Sequence, residues 1–129
     1  MNYVYPVVFT PDDGGYCVYA PDLPGCITQA RDYADGIENI RDGIGGILYI
    51  LERDGRPIPA PSVPADVEHN DGDTITLVDV DVEAYRRRVA TAAVRRTISI
   101  PQWMDEMASR SGVSLSQITQ DGLRRHLGI

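Results

Sequence analysis

The sequence has no lysine: all 12 of its basic residues are arginine. A GC-rich coding sequence accounts for this most simply, and arginine's planar fork for phosphate and carboxylate is the second reading. Cysteine is nearly absent too. Cys17 and Cys26 are too few for a disulfide framework and lack the C-x-x-C spacing of a zinc or redox site, so both are expected to be buried free thiols. The two histidines, His69 and His126, lie far apart and outside any H-x-x-x-H ligand spacing. No metal site and no cofactor are therefore expected. No apolar run approaches the ~20 residues that cross a bilayer. The start, Met1-Asn2-Tyr3-Val4-Tyr5, lacks the basic residues and apolar block of a secretory signal. These absences lead to the expectation of a soluble, cytoplasmic protein without a membrane partner.

What remains is an ordinary globular composition. The 129 residues are 43% hydrophobic and 24% charged, enough for one domain or for a small domain with an appendage. The net charge of -7 argues against nucleic acid until it is divided along the chain. From Met1 to Val82, 15 acidic residues face 4 arginines, a net of -11; from Glu83 to Ile129, 8 arginines face 4 acidic residues, a net of +4. Such a split suggests two units with different partners.

In the first unit, Tyr3 to Phe9 is rich in β-branched and aromatic residues and reads as a strand, with Pro6 placing it at an edge or beside a bulge. Asp12-Asp13-Gly14-Gly15 is a turn, and Tyr16 to Ala20 completes a hairpin. Pro21-Asp22-Leu23-Pro24-Gly25 is a rigid loop before a short strand at Cys26 to Gln29. Tyr33, Ile37, Ile40, Ile44, Ile47, Leu48 and Leu51 then recur at spacings of three and four, the stripe of an amphipathic helix. Asp32 is its N-cap, Asp35 supports the first turn and Asp54-Gly55 ends it. Gly36 and Gly43 flank the stripe, where close approach to a sheet would explain them. Arg56 to Pro64 holds four prolines and is a stiff extended connection. Thr74 to Val82 alternates at period two, a half-buried strand. The result is an α+β unit of order β-β-β-α-β, one sheet covered by one helix.

The second unit follows Glu83 to Val94, read as a basic linker or short helix. Arg95 to Ile100 reads as a strand stopped by Pro101. A helix runs over about Gln102 to Ser111 and ends at Gly112. Ser114 and Gln117 form a capping box for a second helix, whose buried face is expected to be Leu115, Ile118, Gly122 and Leu127. Strand alternation sends Ile98 and Ile100 toward the helices and Arg95, Thr97 and Ser99 the other way, with Arg96 sharing the inward parity. About 35 residues are too few to hold a core alone.

This tail resembles the ribbon-helix-helix DNA-binding unit, in which two chains pair their strands into an antiparallel ribbon that enters the major groove. The resemblance implies that Arg95, Thr97 and Ser99 read base edges. It also implies that the amides near Ser114 to Ser116 hold a phosphate, and that Trp103 packs against the dimer partner. A plain dimerisation module with a solvated basic strand is the competing reading.

The front half carries Asp22-Leu23-Pro24-Gly25-Cys26 before the Asp32-capped helix, then Gly55-Arg56-Pro57-Ile58-Pro59-x-Pro61-Ser62. These motifs at this spacing resemble the HicB antitoxin family along nearly the whole chain, with Ala30-Arg31 standing where the family usually has Gly-Asp. The resemblance implies a partial RNase H-like unit over residues 1–82 that binds and blocks a HicA-like toxin, an mRNA endoribonuclease. It further implies a linker or short helix over 83–94 and a ribbon-helix-helix unit over 95–129 that represses the operon at operator DNA. The assembly implied is a homodimer through the tail, and dimers in the family also pair into tetramers. Asp22, Leu23, Pro24 and Gly25 either set the turn before the helix or touch the toxin. No catalytic residue is expected: Asp12, Asp13 and Asp22 sit in turns, Asp32 and Asp35 at a helix start, and Asp79 and Asp81 on one strand face without an evident partner. The alternatives are a freestanding ribbon-helix-helix repressor with a ligand-sensing front half and a residual metal-dependent nuclease.

Overall fold

The computed structural model describes residues 2–129. Strands β1 (Asn2–Asp12), β2 (Gly15–Tyr19) and β3 (Ile27–Ala30) are followed by helix α1 (Tyr33–Arg53), strand β4 (Thr74–Asp81) and helices α2 (Val82–Val89), α3 (Gln102–Ser111) and α4 (Leu115–Leu127). A short 3-10 helix, Pro64–Asp66, interrupts the proline-rich connection. The strands form one antiparallel sheet of order β3-β2-β1-β4. Two compact units emerge, Met1–Ala92 and Ala93–Ile129. Among the described residues no helix is long and apolar enough to cross a membrane.

β1 lies inside the sheet, not at its edge, and the tolerance of Pro6 has a local cause. Asp79 turns its carbonyl to Arg41, away from β1, so the Asp79–Val4 and Leu77–Pro6 pairs exchange no ladder bonds. The nitrogen of Pro6 therefore faces the β2 side, where pairing begins only at Val8. The missing donor falls where β2 supplies no ladder partner.

α1 lays Ile40, Ile44 and Leu48, all fully buried, across Tyr5, Val7, Phe9, Val18, Val78 and Val80 of the sheet. Asp32 caps it, accepting from the Asp35 N–H at 2.8 Å. Asp35 in turn accepts from the Arg31 backbone N–H at 3.0 Å, and this bond, with the Arg31 guanidinium, holds its carboxyl below the usual range. Gly36 answers the need for close approach: a Cβ there would lie 2.3 Å from the Phe9 ring. Gly43 does not, since its Cβ would sit 3.5 Å from the Cys26 sulfur, an ordinary contact. Cys26 is buried as expected, and burial pushes its thiol pKa up; Cys17 is only half-buried.

The stretch after β4 is not a loose linker. Asp81 caps α2 through the Ala84 N–H, Val82 is fully buried, and the Tyr85 ring sits over Gly45 and Gly46, where a Cβ on Gly45 would be 2.7 Å away. Arg86 pairs with Glu52 at 2.5 Å and with Glu83, Arg88 pairs with Asp42, and each arginine also lies over a tyrosine ring. α2 thus belongs to the first unit.

The two α1 glycines should separate cleanly. Gly36→Ala gains about 1 kcal/mol of helix propensity but overpacks Phe9 at a cost of about 1–3 kcal/mol. Gly43→Ala meets only ordinary contact and keeps its gain of about 0.5–1 kcal/mol. In urea denaturation the Gly36 variant is expected to unfold earlier than the parent and the Gly43 variant later.

Candidate functional site

The loop between β2 and β3 is closed by its own backbone: Leu23 N–H to Ala20 O at 3.1 Å, Cys26 N–H to Leu23 O at 3.0 Å, and Ala20 N–H to Cys26 O at 3.0 Å. Gly25, at φ +84°, makes the reversal. Leu23 points into the core and is 1% exposed. The Asp22 carboxylate reaches across the chain to Ser62, accepting from its N–H at 2.9 Å and from its hydroxyl at 2.5 Å. Tyr5 donates its hydroxyl to Pro59 O at 2.5 Å. The Asp22–Cys26 and Gly55–Ser62 motifs are therefore two halves of one clasp at the end of α1. A groove of about 400 Å³ lies beside it, walled by Leu23, Pro24, Ile47, Leu51, Pro57 and Pro59. Of the four loop residues proposed from sequence, Pro24 and Gly25 remain exposed, while Asp22 and Leu23 hold the loop in place. A more polar cleft of about 590 Å³ lies between α1, β4 and α2, lined by Glu38, Asp42, Tyr85 and Arg88 among others.

Of the carboxylates considered for catalysis, five hold structural partners: Asp22, Asp32, Asp35, Asp79 and Asp81. Arg41 holds Asp79 at 3.0 Å, Asp81 and Asp32 cap helices, and among the described residues no cluster of three or more His, Cys, Asp or Glu is disposed to hold a metal ion.

In the tail the expected strand is absent: residues 90–101 have no regular structure. A strand exists only as part of a ladder, and the single chain offers 95–100 no partner. Arg95, Thr97 and Ser99 all lie exposed in this stretch. α3 ends at Gly112 with φ +66°, and Ser114 caps α4 by accepting from the Gln117 N–H at 3.2 Å. The capping box is only half made, because the Gln117 side chain turns forward to Asp121 at 2.9 Å. Ser116 lies exposed in the first turn of α4. The expected buried face of α4 is not buried: Leu115, Ile118 and Leu127 are all exposed, as are Ile98, Met104 and Met107, and Trp103 is 60% exposed. Neither α3 nor α4 contains a buried residue.

Cutting the clasp should loosen one segment rather than unfold the unit. Asp22→Ala removes two hydrogen bonds, each worth about 1 kcal/mol. Amide exchange at Ser62 is expected to speed up, with the core amides of β1 unchanged; equal exchange at Ser62 in parent and variant would contradict the clasp.

Comparison with known proteins agrees with this geometry. A UPF0150 protein of Thermoplasma acidophilum is 38% identical over 56 residues, 43% of this chain and 81% of that one. A toxin–antitoxin complex from Streptococcus pneumoniae superposes with a TM-score of 0.62 at 23% identity, covering 98% of this chain and 99% of that chain. A chain of a HicA3–HicB3 toxin–antitoxin complex covers 61% of this chain and 99% of its own length, with a TM-score of 0.51 at 24% identity. At these identities the structural likeness is one of fold. The family described as HicB-like antitoxin of bacterial toxin–antitoxin systems matches residues 5–121. The chain therefore belongs to the HicB-like antitoxins, a family of toxin neutralisers and not of enzymes.

Proposed function

We propose that this antitoxin neutralises a HicA-like toxin with its N-terminal unit and represses its own operon by binding operator DNA through its tail, in the cytoplasm. In this reading the first unit is a partial RNase H-like fold. The tail is a ribbon-helix-helix module that completes itself in a homodimer, and dimers pairing into tetramers would be a further step.

The observation that carries the tail's part is the absence of any buried residue in α3 and α4. A unit with Ile98, Trp103, Met107, Leu115, Ile118 and Leu127 all exposed has an apolar surface and no core of its own. A second copy supplies both what that surface lacks and the ladder partner that residues 95–100 lack. On the ribbon so formed, Arg95, Thr97 and Ser99 face outward to base edges, and the amides at Ser114 to Ser116 meet a phosphate. For the toxin, the support is the family and the net negative first unit. In the Asp22–Gly25 loop, Pro24 and Gly25 are the exposed residues that can reach a partner.

Two experiments test this. Expression of the small reading frame beside this gene should arrest growth, and co-expression of this chain should restore it, with the two products co-purifying. Unimpaired growth and no complex would overturn the toxin half. Arg95→Ala should weaken operator binding by about 1–3 kcal/mol if it reads a base pair, while neutralisation persists. Unchanged operator affinity in a gel-shift titration would overturn the groove assignment.

A further inference from the structure

α1 covers one face of the sheet. Strand alternation sends Val4, Pro6 and Val8 of β1, and Ile75, Leu77 and Asp79 of β4, to the other face. The register sets Pro6 opposite Leu77 and Val4 opposite Asp79, so Val4 and Leu77 are diagonal neighbours. Pro6 and Val8 are fully buried, yet Val4 is 44% and Leu77 55% exposed. An aliphatic pair therefore stands uncovered beside a closed part of the same face.

The chain that leads into and forms β4 is strongly acidic. Between Arg56 and Arg86 there is no arginine and His69 is the one basic side chain, while Asp66, Glu68, Asp71, Asp73, Asp79, Asp81 and Glu83 all fall in that interval. Among the described residues, Arg41 answers Asp79 and Arg86 answers Glu83, and no ion pair forms at Asp66, Glu68, Asp71 or Asp73. The 3-10 helix that ends at Asp66 contacts β4, which brings that acidic segment beside the strand. Such a face repels nucleic acid. It also repels a second copy of its own unit, which has 16 carboxylates against 7 arginines over Met1–Ala92, a net of -9.

We propose that the outer face of β1 and β4, centred on Val4 and Leu77 and bordered by the Asp66–Asp73 segment, is the docking surface for a small cationic protein. This rests on the proposed function, in which that protein is the toxin. The aliphatic pair supplies the desolvated contact and the unpaired carboxylates steer the approach.

The probe is the purified product of the neighbouring small reading frame, titrated into the full-length antitoxin by calorimetry and by stopped-flow mixing. Leu77→Arg should weaken binding about tenfold or more. Glu38→Gln, which changes the charge by the same amount on exposed α1, should leave affinity unchanged. Asp66→Asn with Glu68→Gln should slow association and flatten its salt dependence. If Leu77→Arg lowers the melting temperature, Leu77→Gln replaces it and should still weaken binding severalfold. Parent-like affinity in the Leu77 variants would overturn the docking face while leaving the toxin reading intact. Absence of binding by the parent antitoxin would overturn both.

Discussion

Ile40, Ile44 and Leu48 are completely buried between α1 and the sheet, and the first unit's other features depend on how close that helix lies. Gly36 lets the helix start against the Phe9 ring, and Asp32 fixes where it starts. From that position α1 also reaches both edges of the sheet. Asn39 donates to Gln29 O of β3 at 3.2 Å, and Arg41 donates to Asp79 O of β4 at 2.9 Å. A sheet edge with free carbonyls and amides invites pairing with other chains, and a side chain laid over it blunts that tendency. The same helix that closes the core thus protects the edges, and its C-terminal end becomes the floor of the clasp.

The charge of the chain takes a different form once the units are known. Dividing at Val82 assigns Arg86, Arg87 and Arg88 to the tail. The structure assigns them to the first unit, where Arg86 and Arg88 neutralise Glu52, Glu83 and Asp42. The first unit then has a net of -9 and the tail, with 5 arginines against 3 carboxylates, a net of +2. The sign of the asymmetry survives but its size falls. If the tail binds DNA as proposed, so modest a net charge means that it would rely on where its arginines stand, and less on bulk attraction.

Much of the first unit was legible because its signals are local. The α1 stripe, the Asp32 cap, the hairpin turn and the alternation of β4 are each written within a few residues. What was not legible depends on partners distant in sequence. Pro6 suggested an edge, because a missing donor says nothing about which side of the strand lacks a neighbour. Asp79 and Asp81 have no partner visible in the sequence because Arg41 lies far back along the chain and because nothing local marks Val82 as the start of α2. Asp22 and Ser62 stood in two separate motifs, with nothing in either to say that they meet. The signal that could have found this was the coincidence of a conformationally fixed carboxylate loop and a proline-rich segment ending in serine, both near one helix end.

The tail shows the opposite limit. Both ends of α3 and the start of α4 are legible in the sequence, since Pro101, Gly112 and Ser114 act on their own neighbours, whereas the end of α4 at Leu127 is not read there. The strand expected over residues 95–100 and the buried face expected on α4 are absent from the single chain. A ladder needs a second strand, and α3 and α4 together enclose nothing. If a second copy supplies both, folding of this unit and its assembly are one equilibrium, and its stability rises with concentration by mass action. The first unit has its own core and needs no such help. The two halves would then respond differently to dilution: a scarce antitoxin keeps a folded first unit while losing the ribbon. In the proposed division of labour, neutralising capacity would then outlast repression as the protein becomes scarce, because only the first unit carries a core of its own.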